Sequence, residues 1–280
     1  MSKRRRTKPK SVVEQKPQKL IDIIIPVFNG FSILKECLQS IEAAANGLLY
    51  NIIIVDNGST EEPVGFYDNL GIPVEVIRNK SNLGFPRACN IGTNRKRSPL
   101  IFFLNSDVIL DPGSLDLLVR ELDNPLVGVA GMKLVFPDDA KGLNPNIRPA
   151  GKIQHIGLSI NIHTKPIHHF VGWSEDSPKV NRLREVTAVT GAAMLTRRNL
   201  WTKIGGFDEE YGMGTYEDIS YCLEATKLGY NIHVVPEARA IHYTGATAEK
   251  NSIGFNLQMN HIIFIRKYID VLTWSEYLAW

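Results

Sequence analysis

The sequence predicts an α/β fold, a single domain in which a mixed, mostly parallel central sheet is flanked by helices. Three observations carry this expectation. Apolar runs of strand length alternate with segments of helical spacing, the pattern of βαβ units. The runs lead into polar or turn-forming residues at Pro26-Val-Phe-Asn29, Asp56-Asn57, Asn82-Leu-Gly84 and Asn105-Ser-Asp107. Turns favour such residues anyway, but four such ends on one sheet edge would make a nucleotide-sized site, because ligands lie beyond the carboxyl ends of parallel strands. Finally, 280 residues, 44% hydrophobic and 22% charged, have the balance of an ordinary globular chain.

Residues 20–29 read as a buried strand ended by Pro26 and a turn at Asn29-Gly30. Ser32 is placed to cap a helix with apolar positions at Ile33, Leu34, Leu38 and Ile41. A second strand at 51–55 closes on Asp56-Asn57-Gly58-Ser59-Thr60. A third at 74–77 runs into Arg78 to Gly84, which opens a helix over about 86–97. Residues 100–110 then form an apolar run broken once, at Asn105-Ser106-Asp107. An ionised carboxylate inside a buried strand costs several kcal/mol unless something compensates it, roughly the penalty of any unpaired buried charge. Either the strand ends there in a turn and Asp111-Pro112 starts a helix, or the strand delivers Asp107 to a divalent metal at the sheet edge. No Gly-x-Gly-x-x-Gly and no Gly-Lys-Ser/Thr follows the first strand, which disfavours a dinucleotide or P-loop site.

Residues 136–183 are proline-rich and read as irregular. His155, His163, His168 and His169 scatter through them at spacings that match no zinc pattern, and are taken as structural or loop histidines. A strand is expected at 186–195, where Gly191-Ala192 leaves room for a ligand or another backbone. Asn199 is placed to cap a short helix to Ile204. Residues 216–229 read as a helix closed by Gly229, with Glu217 and Asp218 in its first turn, where the dipole favours anions. Strands follow at 231–235 and 240–243, the latter with His242 in an apolar context, and helical spacing returns at 255–271.

The net charge of +3 hides an asymmetry. Residues 1–19 hold eight Lys or Arg against Glu14, so the chain beyond them carries −4. That head is expected to be a disordered basic tail. A nucleic-acid enzyme would carry its basic residues on the folded part, so no specific nucleic-acid binding is expected. Cys37, Cys89 and Cys222 are far apart and suggest neither disulfides nor a metal knuckle, pointing to the cytoplasm. No apolar run approaches the roughly 18–20 residues of a membrane span. The basic tail and the aromatic end (Trp274, Tyr277, Trp280) would suit peripheral contact with an anionic membrane face, against the plainer alternative of a solvated tail and a packed helix.

The ordered set Ile-Ile-Ile-Pro-Val-Phe-Asn29, Val-Asp-Asn-Gly-Ser59, Asn82-Leu-Gly-Phe-Pro-Arg-Ala-Cys-Asn-Ile-Gly92, Leu-Asn-Ser-Asp107, Thr-Gly-Ala192, Gly-Gly-Phe-Asp-Glu209, Tyr-Glu-Asp218 and Ile-His242 resembles family 2 glycosyltransferases of the GT-A fold. The likeness looks closest to the rhamnosyltransferase-like branch that builds bacterial surface polysaccharides, and covers residues 20–268. Each motif alone is weak; together and in order they are specific. The resemblance implies a GT-A domain over 20–250, with a nucleotide-binding half at 20–110 and an acceptor half at 111–250, followed by a helical extension at 251–280. It implies inverting transfer from a UDP- or dTDP-sugar to a hydroxyl of a glycan or lipid-linked glycan.

On that resemblance, Pro26, Val27, Phe28 and Asn29 line the nucleoside pocket and Asp56, followed by Asn57, bonds the base. Asn82, Gly84, Arg87 and Asn90 close its other wall, with Arg87 available to the diphosphate. Asn105, Ser106 and Asp107 occupy the Asp-x-Asp position, and Gly191 and Ala192 sit against the ligand. Asp107 would bind Mg²⁺ or Mn²⁺, with His242 a further metal or phosphate contact. Asp218 is the expected general base, and Glu217 would orient the acceptor. Two departures stand out: Asn105 replaces the first Asp of the metal motif, and Ser220 stands where a further acidic residue is common. A sugar-phosphate nucleotidyltransferase is the alternative enzyme, disfavoured by the missing Gly-rich, basic phosphate loop. A non-catalytic carbohydrate-binding protein is the other, disfavoured by the joint presence of Asp107, Asp218 and His242.

Overall fold

The structure, a computed structural model, describes residues 20–138, 150–161, 163–243 and 256–270. The basic tail, Trp274, Tyr277, Trp280 and part of the helical extension lie outside them. In chain order the elements are β1 (Leu20–Val27), α1 (Phe31–Ala45), β2 (Leu49–Asp56), β3 (Glu75–Arg78), α2 (Phe85–Thr93), β4 (Leu100–Leu104), β5 (Val108–Leu110), α3 (Ser114–Glu121) and β6 (Val127–Val135). They continue with β7 (Ile153–His155), β8 (Leu158–Ile160), β9 (Pro166–His168), β10 (Arg184–Glu185), β11 (Ala193–Arg197) and α4 (Arg198–Ile204). A 3-10 turn, Glu209–Tyr211, leads to α5 (Glu217–Lys227), β12 (Asn231–His242) and α6 (Leu257–Tyr268).

The main sheet runs β10-β12-β6-β11-β4-β1-β2-β3, with β5 on β12 and β7 on β6. Strands β3, β2, β1 and β4 are parallel, β11 is antiparallel between β4 and β6, and β12 is parallel to β6. Continuous apolar strands need a covered sheet on both faces. Ile21, Ile23, Ile25 and Phe102 face one core with α1 and α3, while Ile24, Ile53, Phe103 and Met194 face the other with α2 and α5. The chain reverses its direction of travel across the sheet at β1, placing β2 on one side and β4 on the other. The crevice beyond their carboxyl ends is where ligands of such sheets bind.

Several expectations shift for identifiable reasons. Helix α1 starts at Phe31 behind Gly30 in the left-handed conformation, without a side-chain cap, so Ser32 lies inside it. The run 100–110 divides at Asn105: β4 stays beside β1, and β5 crosses to pair with β12. In 186–195 Ala188 makes only an isolated bridge to Leu158, and the strand β11 begins at Ala193, because the N–H groups of Thr190 and Gly191 go to side chains instead of a ladder. The two short strands expected at 231–243 form one strand, β12, with a register shift where Pro236 interrupts pairing to β6. The region expected to be irregular contains β7 and the β8–β9 hairpin. All three cysteines are buried and free. Among the described residues no helix is long and apolar enough to cross a membrane.

The amino end of the sheet is fastened by one buried charge. Asp22 accepts from Ser98 Oγ at 2.6 Å, Ser98 N at 3.1 Å, Asn51 Nδ2 at 2.9 Å and Arg198 Nη2 at 2.6 Å, joining β1 to α4. Removing one member of a buried pair strands the other. Asp22→Ala should therefore lower stability by about 3–5 kcal/mol in urea unfolding, with Asp22→Asn costing less.

Candidate active site

The turn between β4 and β5 presents Asp107, and the end of β12 presents His242. Pairing of β5 with β12 sets His242 opposite Val108, and Tyr243 N donates to the Asp107 carbonyl at 3.0 Å. The two side chains, each under a tenth exposed, meet with His242 Nε2 3.2 Å from Asp107 Oδ1. Gln154 on β7 determines what that contact is. Its Nε2 donates to the His242 carbonyl at 3.1 Å, so its Oε1, 2.7 Å from His242 Nδ1, must accept from Nδ1–H. In the neutral imidazole Nε2 then offers a lone pair toward a carboxylate oxygen. Two electron-pair donors facing each other at the mouth of the sheet suit a shared cation, and a carboxylate with an imidazole is a donor set that a divalent metal accepts. Among the described residues no third His, Cys, Asp or Glu joins them, so other ligands would have to come from substrate or water.

At the end of β2, Asp56 is buried and accepts from Ser59 N at 2.9 Å and Arg78 Nη1 at 2.8 Å. Arg78 also pairs with Glu62. Asn57 is a hub: its amide donates to Asn82 Oδ1 and the Gly84 carbonyl and accepts from Asn79 Nδ2 and Leu83 N. Asn29, at φ 59, accepts from Thr60 N and Glu61 N and so holds the 59–61 loop over the end of β1. Pro26 and Phe28 are partly exposed there, whereas Val27 is buried.

The start of α2 is clamped against the loop preceding α5. Gly84, at φ 85, leaves no space for a Cβ, which would overlap the Gly212 carbonyl. Phe85 N donates to the Met213 carbonyl at 3.2 Å. Asn90 donates to the Phe207 carbonyl and accepts from Phe207 N, so its amide latches α2 to the Gly205-Gly206-Phe207 turn. Arg87 is more than half exposed and stands 3.7 Å from Glu209.

Helix α5 begins behind two non-glycine residues of positive φ, Thr215 at 77° and Tyr216 at 74°. Such backbone persists only where its surroundings over-determine it. Here Asn260 of α6 donates to the Tyr211 and Gly214 carbonyls, and Phe264 packs on the Tyr216 ring with centroids 5.2 Å apart. Asp218, partly exposed, accepts from Gly191 N at 3.0 Å through Oδ2. The next residue, Ala192, accepts from Asn105 N at 2.9 Å. The dipeptide Gly191-Ala192 thus holds Asp218 on one side and the Asp107 turn on the other. A Cβ on Gly191 would press to 3.1 Å from the Phe85 ring. Ser106 is buried within the turn. Gln154, Arg78 and Asn260 escape sequence reasoning because their roles depend on partners 22 to 88 residues away, and no local pattern marks them.

Glu217 is 5% exposed and its Oε2 has no hydrogen-bond partner among the described residues. Burial, with the Asp218 charge beside it, pushes its carboxyl well above the usual range. A carboxyl whose folded pKa exceeds its unfolded value holds its proton more tightly in the folded state. Its contribution is full below the unfolded pKa and is lost as pH rises toward the folded one. Glu217→Gln mimics the protonated form, so its stability relative to wild type should improve from pH 5 to pH 8. Chemical unfolding at both values checks this, and an unchanging difference would mean that Glu217 is ionised throughout.

Residues 22–200 match the family model "Glycosyl transferase family 2". The chain is 28% identical to the y4gI protein of Sinorhizobium fredii and 24% identical to the O-antigen biosynthesis protein RfbC of Myxococcus xanthus. These alignments cover 81% and 83% of this chain but only 25% and 18% of the relatives. It is 26% identical to an N-acetylglucosaminyl-diphospho-decaprenol L-rhamnosyltransferase of Mycobacterium tuberculosis, over 69% of this chain and 66% of that one. Among solved structures, GalNAc-T7 with UDP, GalNAc and Mn²⁺ superposes with a TM-score of 0.68 at 15% identity, over 90% of this chain and 49% of that one. The mannosyltransferase PcManGT of Pyrobaculum calidifontis, in complex with GDP-Man and Mn²⁺, gives 0.58 at 15%, over 94% and 68%. With the family model spanning well over half of the chain and the sheet arranged as in these enzymes, the chain belongs to glycosyl transferase family 2 and has the GT-A fold.

Proposed function

We propose that this chain transfers a sugar, with inversion, from a nucleotide diphosphate sugar to a hydroxyl of a glycan or lipid-linked glycan. The observation that carries the reading is the division of labour across Gly191-Ala192: an acceptor-only pair, Asp107 and His242, on one side, and a carboxylate, Asp218, on the other. Inversion by single displacement needs the base and the leaving group on opposite sides of the anomeric carbon. Asp107 and His242 would hold Mg²⁺ or Mn²⁺, which supplies charge neutralisation to the departing diphosphate. Gln154, accepting from Nδ1–H, orients the ring and directs His242 Nε2 toward that task.

Asp218 takes the proton of the attacking hydroxyl. The Gly191 N–H on its Oδ2 orients the carboxylate and leaves the rest of its acceptor capacity for substrate. Glu217, buried behind it, holds a proton and supports the helix start, and with it the acceptor wall. Asp56, with Asn57, Pro26, Phe28, Asn29 and Asn82, forms the base and ribose end, with Arg78 fixing the Asp56 carboxylate. Val27 backs this end from beneath. Gly84 and Asn90 keep the donor wall seated on the acceptor helix, and Arg87 is exposed at that wall for the diphosphate. Asn105 and Ser106 shape the turn that carries Asp107. The M. tuberculosis relative, named for a lipid-diphosphate acceptor, supports a lipid-linked glycan and peripheral membrane contact through residues 1–19.

Calorimetric titration of UDP, dTDP and GDP with Mn²⁺, and again with chelator, tests the donor side. One nucleotide should bind in a metal-dependent way, and Asp107→Ala should abolish the metal-dependent part. Metal-independent binding that Asp107→Ala leaves intact would defeat the reading. Asp218→Asn should keep nucleotide affinity and lower turnover about 10²–10⁴-fold, measured as nucleotide release in the presence of acceptor. Gln154→Leu should weaken Mn²⁺ binding about 10–100-fold, the usual cost of losing a group that orients a metal ligand.

A further inference from the structure

Beside the dipeptide that separates the base from the metal pair lies a pair of imidazoles, to which neither the family motifs nor the reading above gives a task. His155 ends β7 and is 1% exposed, whereas His168 ends β9 and is the more exposed residue of the two. Their Nδ1 atoms are 2.9 Å apart. The network determines which one carries the proton. His155 Nε2 accepts from two backbone N–H groups, Gly157 and Thr190, each at 3.3 Å, sharing its single lone pair. That nitrogen is therefore unprotonated, and the proton of the neutral ring is on Nδ1. His155 Nδ1–H donates to His168 Nδ1, which leaves the His168 proton on Nε2. The same logic excludes the two facing Nδ1 atoms as a pair of metal ligands, since one of them bears hydrogen.

His168 Nε2 has no hydrogen-bond partner among the described residues. Apart from burial, the groups that move the His168 pKa are Asp218, which raises it, and His242, which lowers it, with a net fall. Geometry places the pair of rings beside both the base and the metal pair: His155 is bonded to Thr190, the neighbour of the Gly191 that holds Asp218, and follows Gln154, which holds His242. His155 is held well below the ordinary histidine value by burial and by His168, His169 and His242. Both rings are neutral at pH 7.

We propose that His168 is a sugar-binding residue whose Nε2–H, held in that tautomer by His155, donates a hydrogen bond to a sugar hydroxyl lying between Asp218 and the Asp107–His242 pair. The inference rests on the glycosyltransferase reading. His155 is the positioning residue: Thr190 N–H, next to the Gly191 N–H that orients Asp218, also orients His155. A single three-residue segment thus aligns the base and the sugar-binding donor. A donor-only neutral group suits a hydroxyl oxygen and, unlike a cation, does not compete with the metal for the diphosphate.

The test uses the full chain labelled with ¹⁵N-histidine. Imidazole correlation spectra at pH 7 should show His168 as the Nε2–H tautomer and His155 as Nδ1–H, and His155→Phe should release His168 into a mixture. His168 found as Nδ1–H overturns the proposal. Binding of UDP-glucose, GDP-mannose and dTDP-rhamnose with Mg²⁺ is then compared with that of the bare nucleotides. His168→Phe should weaken the nucleotide sugar about three- to tenfold, the worth of one hydrogen bond, while leaving the bare nucleotide unchanged, and His168→Gln should restore it. A loss in donor affinity assigns the hydroxyl to the donor sugar. A loss confined to the KM of an acceptor glycoside assigns it to the acceptor. An unchanged His168→Phe enzyme, or equal weakening of nucleotide and nucleotide sugar, overturns the inference alone. A wild-type chain that binds no nucleotide removes the glycosyltransferase reading and this inference with it.

Discussion

The site depends on three consecutive residues just before β11, whose backbone groups reach three different parts of it. Thr190 N–H goes to His155, Gly191 N–H to Asp218, and the Ala192 carbonyl accepts from Asn105. Buried backbone groups must be paired, and a strand would have paired these with neighbouring strands. Spending two N–H groups on side chains, while the Ala192 carbonyl pairs with the Asn105 N–H, ends β11 at Ala193 and fixes three pieces of chemistry around one short segment. A Cβ at Gly191 would crowd the Phe85 ring, so a larger residue there would have to displace it.

The two halves of the domain meet along a seam made of similar devices. Asn90 and Gly84 from the donor half engage Phe207 and Gly212 from the segment that leads into α5. Asn260 of α6 holds the far side of that segment through two carbonyls. Between these clamps the backbone passes through Thr215 and Tyr216 at positive φ and delivers Asp218. Strain at such a point is retained because rigid neighbours on both sides leave no relaxed alternative. The position of the base is thus set jointly by α2 and α6, neither of which carries it.

The metal pair is built on another principle. Asp107 and His242 are 135 residues apart in sequence and are brought together by antiparallel pairing of β5 with β12. The pairing requires the chain to leave β4 at Asn105 and cross to another strand. The run of apolar residues around Asp107 conceals that crossing, because both strands are buried and look alike in sequence. Gln154, on the β7 edge strand, then orients the His242 ring from a region that reads as irregular.

The amino-acid sequence by itself determined the α/β class and the parallel order of the first strands, because fully buried strands must be apolar throughout and their ends must turn. It also singled out Asp107, because a carboxylate in an apolar run is costly unless it has a task, whereas Asp218 and His242 were marked by the resemblance of the ordered motifs. Only the tertiary structure decided which of these groups face one another and in which protonation state. His155 and His168, 13 residues apart, look unrelated until the β8–β9 hairpin folds one onto the other and two backbone N–H groups choose the tautomer. Glu217 and Asp218 are adjacent and chemically alike, yet one is buried, with its carboxyl pushed above the usual range, while the other is partly exposed. That difference arises from the direction each side chain takes from a helix end fixed by distant residues, and nothing local in the chain encodes it.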